Sequence, residues 1–234
     1  MLVLGLDTST PAVSVALVEL ETGGPDTAPR WGRQADWQVV DARAHGELLA
    51  SGVRAVLDRL GATPADLGAV AVGLGPGPFT GLRVGIATAA ATADALQVPA
   101  YGVCSLDAVG LWEEGDGPRL VVTDARRREV YWAEYAEDDE RLAGPAVSRP
   151  AALAEALRET GWTGPVLGDG ALLHRDLLVG FDVRDEPRYP AADAVALLAA
   201  RRALAGAPGE ALTPLYLRRP DAQEPAAGKR VTPA

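Results

Sequence analysis

Leu2-Val3-Leu4-Gly5-Leu6-Asp7-Thr8-Ser9-Thr10-Pro11-Ala12-Val13-Ser14-Val15-Ala16-Leu17-Val18-Glu19-Leu20 is the stretch that settles the fold class. Residues 2–7 form an unbroken apolar run ending in aspartate, which predicts a buried strand. Thr8 to Pro11 is a polar turn, and Val13 to Leu20 predicts the antiparallel return. The same signal recurs in the second half, where Leu120-Val121-Val122-Thr123-Asp124 is followed by a turn through Arg128 and by Val130 to Tyr135. Setting Asp124 on Asp7 also sets Val130 on Val13 and Ala133 on Ala16, a constant offset of 117 that points to a duplicated lobe.

Further elements follow from periodicity. Gly23 to Pro29 reads as a loop leading to a strand near Trp37 to Val40. An amphipathic helix from Ala42 to Leu60 puts Leu49, Val53, Val56, Leu57 and Leu60 on one face and ends at Gly61. Ala69 to Leu74 is a strand, Thr80 to Gln97 a helix and Val98 to Val103 a strand, giving the order βββαβα and then β. Beyond the second hairpin the pieces are short: helices around Ala151 to Glu159, Ala171 to Leu178 and Ala191 to Leu204, and a strand at Pro165 to Leu167. This predicts an α/β protein with a first lobe over residues 1–107, a reduced second lobe over 108–219 and a disordered tail over 220–234. The last helix, about 191–205, is a candidate to pack back on the first lobe.

Composition excludes several kinds of protein. Hydrophobic residues make up 48% and charged residues 23%, as in ordinary globular domains. No apolar run reaches the roughly 18 residues of a membrane span, so no membrane partner is expected. The start lacks a signal peptide's basic flank, and the single cysteine, Cys104, forbids an internal disulfide. A cytoplasmic location with Cys104 as a buried, inert thiol is the expectation. The only lysine is Lys229, in the Pro/Gly/Ala-rich tail, which excludes phosphate loops and Schiff-base sites that need a lysine within the fold. His45 and His174 are the only histidines, with no metal-binding spacing, and no Gly-x-Ser-x-Gly elbow exists. The net charge of −10 argues against RNA binding by the isolated chain, because phosphate neutralisation supplies most such affinity. Arg126, Arg127 and Arg128 read as a solvated turn. Glu113, Glu114 and Asp116, like Glu137 to Glu140, read as solvated loops.

Two segments carry candidate contacts. Strand, Asp, Thr/Ser and returning strand resemble the first phosphate loop of actin-like ATPases and sugar kinases. Here Asp7, Thr8 and Ser9 occupy it, with Ser9 where a glycine would let backbone meet phosphate. A polar hairpin turn and a vestigial nucleotide contact both fit. The loop Gly73-Leu74-Gly75-Pro76-Gly77-Pro78-Phe79-Thr80-Gly81-Leu82-Arg83-Val84-Gly85 joins a strand to a helix, with Thr80 as candidate N-cap. It suits an anion at the helix start or, by preference, close packing. Gly81, Gly85, Thr88 and Thr92 form a small-residue stripe that admits another helix.

Gly75-Pro76-Gly77-Pro78-Phe79-Thr80-Gly81-Leu82-Arg83-Val84-Gly85 resembles the Gly-Pro-Gly-Ser-Phe-Thr-Gly-Leu-Arg-Ile-Gly hallmark of the bacterial TsaB (YeaZ) family. Leu6 to Thr10 with Ser14 to Leu17, His45 to Leu49, Asp124 to Tyr131 and Leu215-Tyr216-Leu217-Arg218 resemble its other motifs, in order over residues 2 to 219. Pro78 stands where the family has serine, and so does Gly46. The resemblance implies two actin-like (ASKHA, ribonuclease H-like) lobes with mixed sheets. It also implies a non-catalytic partner in making N6-threonylcarbamoyladenosine at position 37 of tRNA. On that expectation the chain has no cofactor of its own, ATP and metal belonging to a TsaD-like catalytic subunit and a TsaE-like ATPase. tRNA is then met through the complex, and a homodimer is a candidate state of the chain alone. Docking is expected through His45, Leu48, Leu49, Gly81, Leu82, Arg83, Gly85, Thr88 and Thr92, with the stripe facing outward. The competing expectation is a glycopeptidase-like or nucleotide-binding actin-fold enzyme working as a free homodimer.

Overall fold

The computed structural model describes residues 1–21, 30–41, 43–111 and 117–218. The expected loop from Gly23 to Pro29, Ala42, the charge run from Glu113 to Asp116 and the tail from 220 with Lys229 lie outside the described residues. In chain order the elements are β1 (Leu2–Asp7), β2 (Ala12–Glu21), β3 (Arg30–Val40), α1 (His45–Leu60), β4 (Leu67–Gly73), α2 (Phe79–Leu96), β5 (Ala100–Val103) and α3 (Ser105–Gly110). Then come β6 (Arg119–Asp124), β7 (Val130–Tyr135), β8 (Arg141–Ser148), α4 (Pro150–Thr160), β9 (Pro165–Leu167), α5 (Asp169–Leu173), β10 (Asp182–Val183) and α6 (Ala192–Leu204). Among the described residues no helix is long and apolar enough to cross a membrane.

Two five-stranded sheets share one plan, β3-β2-β1-β4-β5 and β8-β7-β6-β9-β10. In each the first three strands are antiparallel and the last two run parallel to the first. The duplication is therefore real, but its register is finer than the constant offset suggests. Asp7 pairs with Ser14, whereas Asp124 pairs with Val130. The second turn is one residue shorter, so the returning strands match at an offset of 116. The second lobe is reduced in length rather than in strand number, β9 and β10 having three and two residues.

The first sheet is buried on both faces, which explains its unbroken apolar strands. Leu4, Leu6, Val13, Val15, Val70 and Val72 point to one side, where Leu49, Val56 and Leu57 of α1 and Ala89 and Ala93 of α2 cover them. Val3, Ala16, Val18, Ala69 and Ala71 point to the other, against the alanine-rich α6. The approach is close: a Cβ on Gly5 would lie 2.0 Å from the Ala192 carbonyl oxygen. In the second lobe α4 covers one face through Leu153, Ala154 and Leu157, and α3 covers the other through Leu106 and Val109. The expected boundary at 107 falls within α3, which packs on both cores: Leu106 and Val109 lie in the second, and Ala108 lies in the first beside α6.

After α6 the chain runs as a strap along both lobes. The N–H of Glu210 donates to the Ala100 carbonyl and that of Leu215 to the Leu74 carbonyl, while Leu215 and Leu217 pack on the second core. Arg218 then bonds to the Ala125 carbonyl at 2.8 Å and pairs with Glu129.

The start of α2 departs from expectation. Pro78, extended at φ −61° and ψ 132°, is the N-cap, and Thr80 lies inside the helix without capping it. Cys104 is buried, and desolvation pushes its thiol up to about 12, the state expected of an inert thiol.

Candidate functional site

Between the lobes lies a cleft of about 760 Å³, within the usual range for small-molecule sites. Its first-lobe wall is the β1–β2 turn with the N-termini of α1 and α2; its second-lobe wall is the β6–β7 turn, and the strap closes one end. Of the candidate nucleotide contacts, only Thr8 reaches the lining, together with Thr10. Asp7 is 1% exposed and turned away. Its Oδ1 accepts the Ser9 N–H at 2.8 Å and the Ser9 hydroxyl at 2.7 Å, and its Oδ2 accepts the Ser105 hydroxyl at 2.6 Å. Burial raises its pKa, while the hydrogen bonds of Ser105 and Ser9 pull it down. Gly73 is required beside it, because a Cβ there would fall 1.8 Å from Asp7 Oδ2.

The β6–β7 turn was not legible from residue types. Arg126, Arg127 and Arg128 take φ of 58°, 53° and 60°, three successive left-handed residues, a conformation that L side chains disfavour. The backbone is held by Arg126 N–H donating to Asp124 Oδ1 at 2.8 Å, by Ala125 N–H donating to the Glu129 carbonyl, and by Arg218. Arg126 and Arg127 thereby join the cleft lining, rather than forming only a solvated turn, and Arg43 and Arg218 join them.

The residues expected to dock a partner divide in two. Leu49 and Leu82 are core residues, 1% and 0% exposed. Gly81 and Gly85 face inward, where added Cβ atoms would lie 2.5 Å from the Thr8 carbonyl oxygen and 2.4 Å from Thr8 Oγ1. Thr8 Oγ1 donates to the Gly81 carbonyl at 2.8 Å and accepts the Gly85 N–H at 3.1 Å. The outward reading of the stripe is thus corrected: its glycines let α2 sit on its own β1–β2 turn. Leu48, Thr88 and Thr92 are half-buried. His45 is too, with Nε2 3.0 Å from the Thr10 carbonyl oxygen. Arg83 is exposed, its guanidinium 3.7 Å from the centre of the Phe79 ring, and Phe79 stacks on Tyr216 at 5.2 Å. The outer face of α2 carries Ala87, Ala90 and Ala91 and borders a shallow, mainly apolar groove of about 1100 Å³.

In the second lobe the Asp169 carboxylate accepts the Asp124 N–H at 3.1 Å. Burial raises its pKa to about 6, the Asp124 charge adds to this, and backbone donors oppose it. Between the unfolded value of 3.8 and about 6 the folded state holds the extra proton, so this group makes stability fall as pH rises through that window. Asp169→Asn is expected to flatten the profile and to gain up to about 2 kcal/mol on wild type at pH 7. Urea unfolding midpoints at pH 4.5, 5.5 and 7 check this; parallel profiles for the two proteins count against it.

Two like sheets, each opened by a strand-Asp hairpin, with a cleft between them, define a two-lobed actin-like fold. A family model described as TsaD, tRNA N6-adenosine threonylcarbamoyltransferase, matches residues 39–163. YeaZ from Pseudomonas aeruginosa superposes with a TM-score of 0.74 at 30% identity, covering 92% of this chain and 99% of that one. The tRNA threonylcarbamoyladenosine biosynthesis protein TsaB of Escherichia coli is 33% identical over 198 residues, 74% of this chain and 81% of that protein. An uncharacterized protein of Mycobacterium tuberculosis is 46% identical over 227 residues, 94% of this chain and 93% of that one. The chain belongs to the TsaB (YeaZ) family.

Proposed function

We propose that this chain is the non-catalytic partner subunit in the synthesis of threonylcarbamoyladenosine on tRNA. It docks on a TsaD-like catalytic subunit, a TsaE-like ATPase joins them, and tRNA is handled by the assembly. The observation that carries this reading is the similarity to Escherichia coli TsaB, which spans both lobes. Two features of the molecule support it. The aspartate that ends β1 is held by Ser9 and Ser105 rather than presented to the cleft. The outer face of α2, with Ala87, Ala90 and Ala91 beside an apolar groove, has small side chains that allow a helix of a partner to approach.

The docking surface so proposed lies on the side of α2 opposite Gly81 and Gly85. Ala91→Glu puts a charge on that exposed face without touching the core. It is expected to hold its melting temperature within about 2 °C, since exposed substitutions change stability by about 0.5 kcal/mol or less. Affinity for the purified TsaD homologue should fall by tenfold or more, because a desolvated, unpaired carboxylate costs more than about 1.4 kcal/mol. Modification of tRNA by the three purified proteins should cease when this chain is omitted. Wild-type affinity in Ala91→Glu rejects the surface. Threonylcarbamoyl transfer by the chain alone at an enzymatic rate near 1 s⁻¹ rejects the accessory role.

A further inference from the structure

The end of the strap grips both lobes between Leu215 and Arg218. On the first lobe the Leu215 N–H donates to the Leu74 carbonyl at 2.8 Å. The Tyr216 ring stacks there on Phe79, the first residue of α2, with ring centres 5.2 Å apart. On the second lobe the Arg218 guanidinium donates to the Ala125 carbonyl at 2.8 Å and to the Arg126 carbonyl at 3.5 Å, and it pairs with Glu129. All three acceptors belong to the β6–β7 turn, where Arg126, Arg127 and Arg128 are left-handed. Three such residues in succession persist only where their surroundings hold them. Within the turn the holding bonds are local: Arg126 N–H to Asp124, Ala125 N–H to the Glu129 carbonyl and Glu129 N–H to the Arg126 carbonyl. Arg218 braces it from 93 residues further along the chain. Phe79 also carries Arg83, whose guanidinium lies 3.7 Å from the ring centre and which borders the apolar groove beside α2. Arg83, Phe79, Tyr216 and Arg218 thus form a line of contacts from the outer face of α2 to a turn of the other lobe.

We infer that the end of the strap is a latch that keeps the β6–β7 turn left-handed, and that contacts at the N-terminal end of α2 act on the turn through it. A guanidinium fork that meets the carbonyls of successive residues fixes both peptide planes, and a left-handed turn depends on those planes. The fork is useful only while its own backbone is placed. Tyr216 stands two residues before Arg218, so its stack on Phe79 sets where the fork can reach. With the ring released, the chain beyond Leu215 regains conformational freedom, the fork leaves its carbonyls and the turn relaxes. Phe79 and Tyr216 are each about two-fifths exposed and Arg83 is exposed too. A partner seated on the groove therefore meets Arg83, covers the stack and holds the latch shut. This last consequence rests on the docking surface proposed above; the latch itself does not.

Hydrogen exchange of the Ala125 and Glu129 amides in the whole chain, read by mass spectrometry, tests this. Tryptic cleavage after Arg126, Arg127 or Arg128 is a second readout, since proteolysis follows the open population of a segment. Tyr216→Ala and Arg218→Gln should each speed exchange and cleavage about tenfold. Arg83→Ala, which acts on Phe79 rather than on the turn, should speed them about threefold. Tyr216→Phe keeps the ring and should behave as wild type. Leu212→Ala is the control: it loosens the strap where it packs on the first core and should leave the turn unchanged. Adding the purified TsaD homologue should slow exchange at the turn by about threefold or more in the wild type and not in Tyr216→Ala. Equal exchange in wild type, Tyr216→Ala and Arg218→Gln overturns the latch. So does equal acceleration in Leu212→Ala, which marks a general loss of stability. Wild-type behaviour of Arg83→Ala, or a complex in which the turn exchanges as before, overturns the coupling to α2. If no complex forms, the docking surface is rejected, and the coupling is decided by Arg83→Ala alone.

Discussion

Gly85→Leu is expected to unfold the protein well below the wild-type melting temperature, with a loss of about 3 kcal/mol or more. The Cβ alone would stand 2.4 Å from Thr8 Oγ1, and the hydroxyl cannot retreat without breaking its bonds to the Gly81 carbonyl and the Gly85 N–H. Overpacking of this kind costs about 1–3 kcal/mol where neighbours yield, and more where the obstacle is held on both sides. Leucine's better helix propensity returns under about 1 kcal/mol. At about 2–4 °C per kcal/mol for a chain of this size, the drop is about 6–12 °C. A melting scan decides it, and a variant that melts with wild type would mean that Gly85 faces solvent. Loss of partner binding by this variant therefore reports on folding; Ala91→Glu is the substitution that reports on docking.

Asp7→Ala should be comparably damaging. The carboxylate accepts three hydrogen bonds, from the Ser9 N–H, the Ser9 hydroxyl and the Ser105 hydroxyl, at a site with 1% exposure. Ser105 Oγ in turn accepts the Gly75 N–H at 3.0 Å, so one side chain joins β1, α3 and the loop before α2. Alanine leaves these donors unpaired and dry, at about 1–3 kcal/mol for the first and less for those that find each other; a total of about 3–4 kcal/mol is expected. Asp7→Asn keeps one acceptor oxygen and should lose less than half as much. Urea denaturation of the three proteins measures this, and a loss under about 1 kcal/mol for alanine would show that the network is not structural.

The same two residues show what could be read in advance. The apolar run before Asp7 and its echo before Asp124 were sufficient for two sheets, because strands buried on both faces leave a continuous signal. β8 gave no such signal. Gly144-Pro145 breaks it, and its side chains are only partly covered, so periodicity fails where one face is wet. The duplication itself was the available clue, since a third antiparallel strand in the first lobe calls for a third in the second. α3 was hidden by its six-residue length, too short for a helical period to show. At the site, the turn with Asp7 and Thr8 and the stripe with Gly81 and Gly85 were singled out separately; that they meet was not read, and the direction of the stripe was misread. Small residues every four positions state that something approaches closely, but not whether it is another helix or the chain's own turn. Arg43 had no local signal, Arg218 stood in the closing motif without a role, and Arg126 to Arg128 looked like a solvated run because arginine does not announce a left-handed turn.

The placement of α6 bears on how the chain is made. During synthesis the face of the first sheet formed by Val3, Ala16, Val18 and Tyr101 waits for a helix encoded about ninety residues after β5. At about 5–20 residues per second, that interval lasts roughly 5–20 s, far longer than the time a nascent hairpin needs to form. For that period an apolar sheet face stands uncovered on the ribosome. The N-terminal lobe thus completes its core only after the second lobe has been made, and a stall between β5 and α6 would leave that face exposed for as long as the stall lasts.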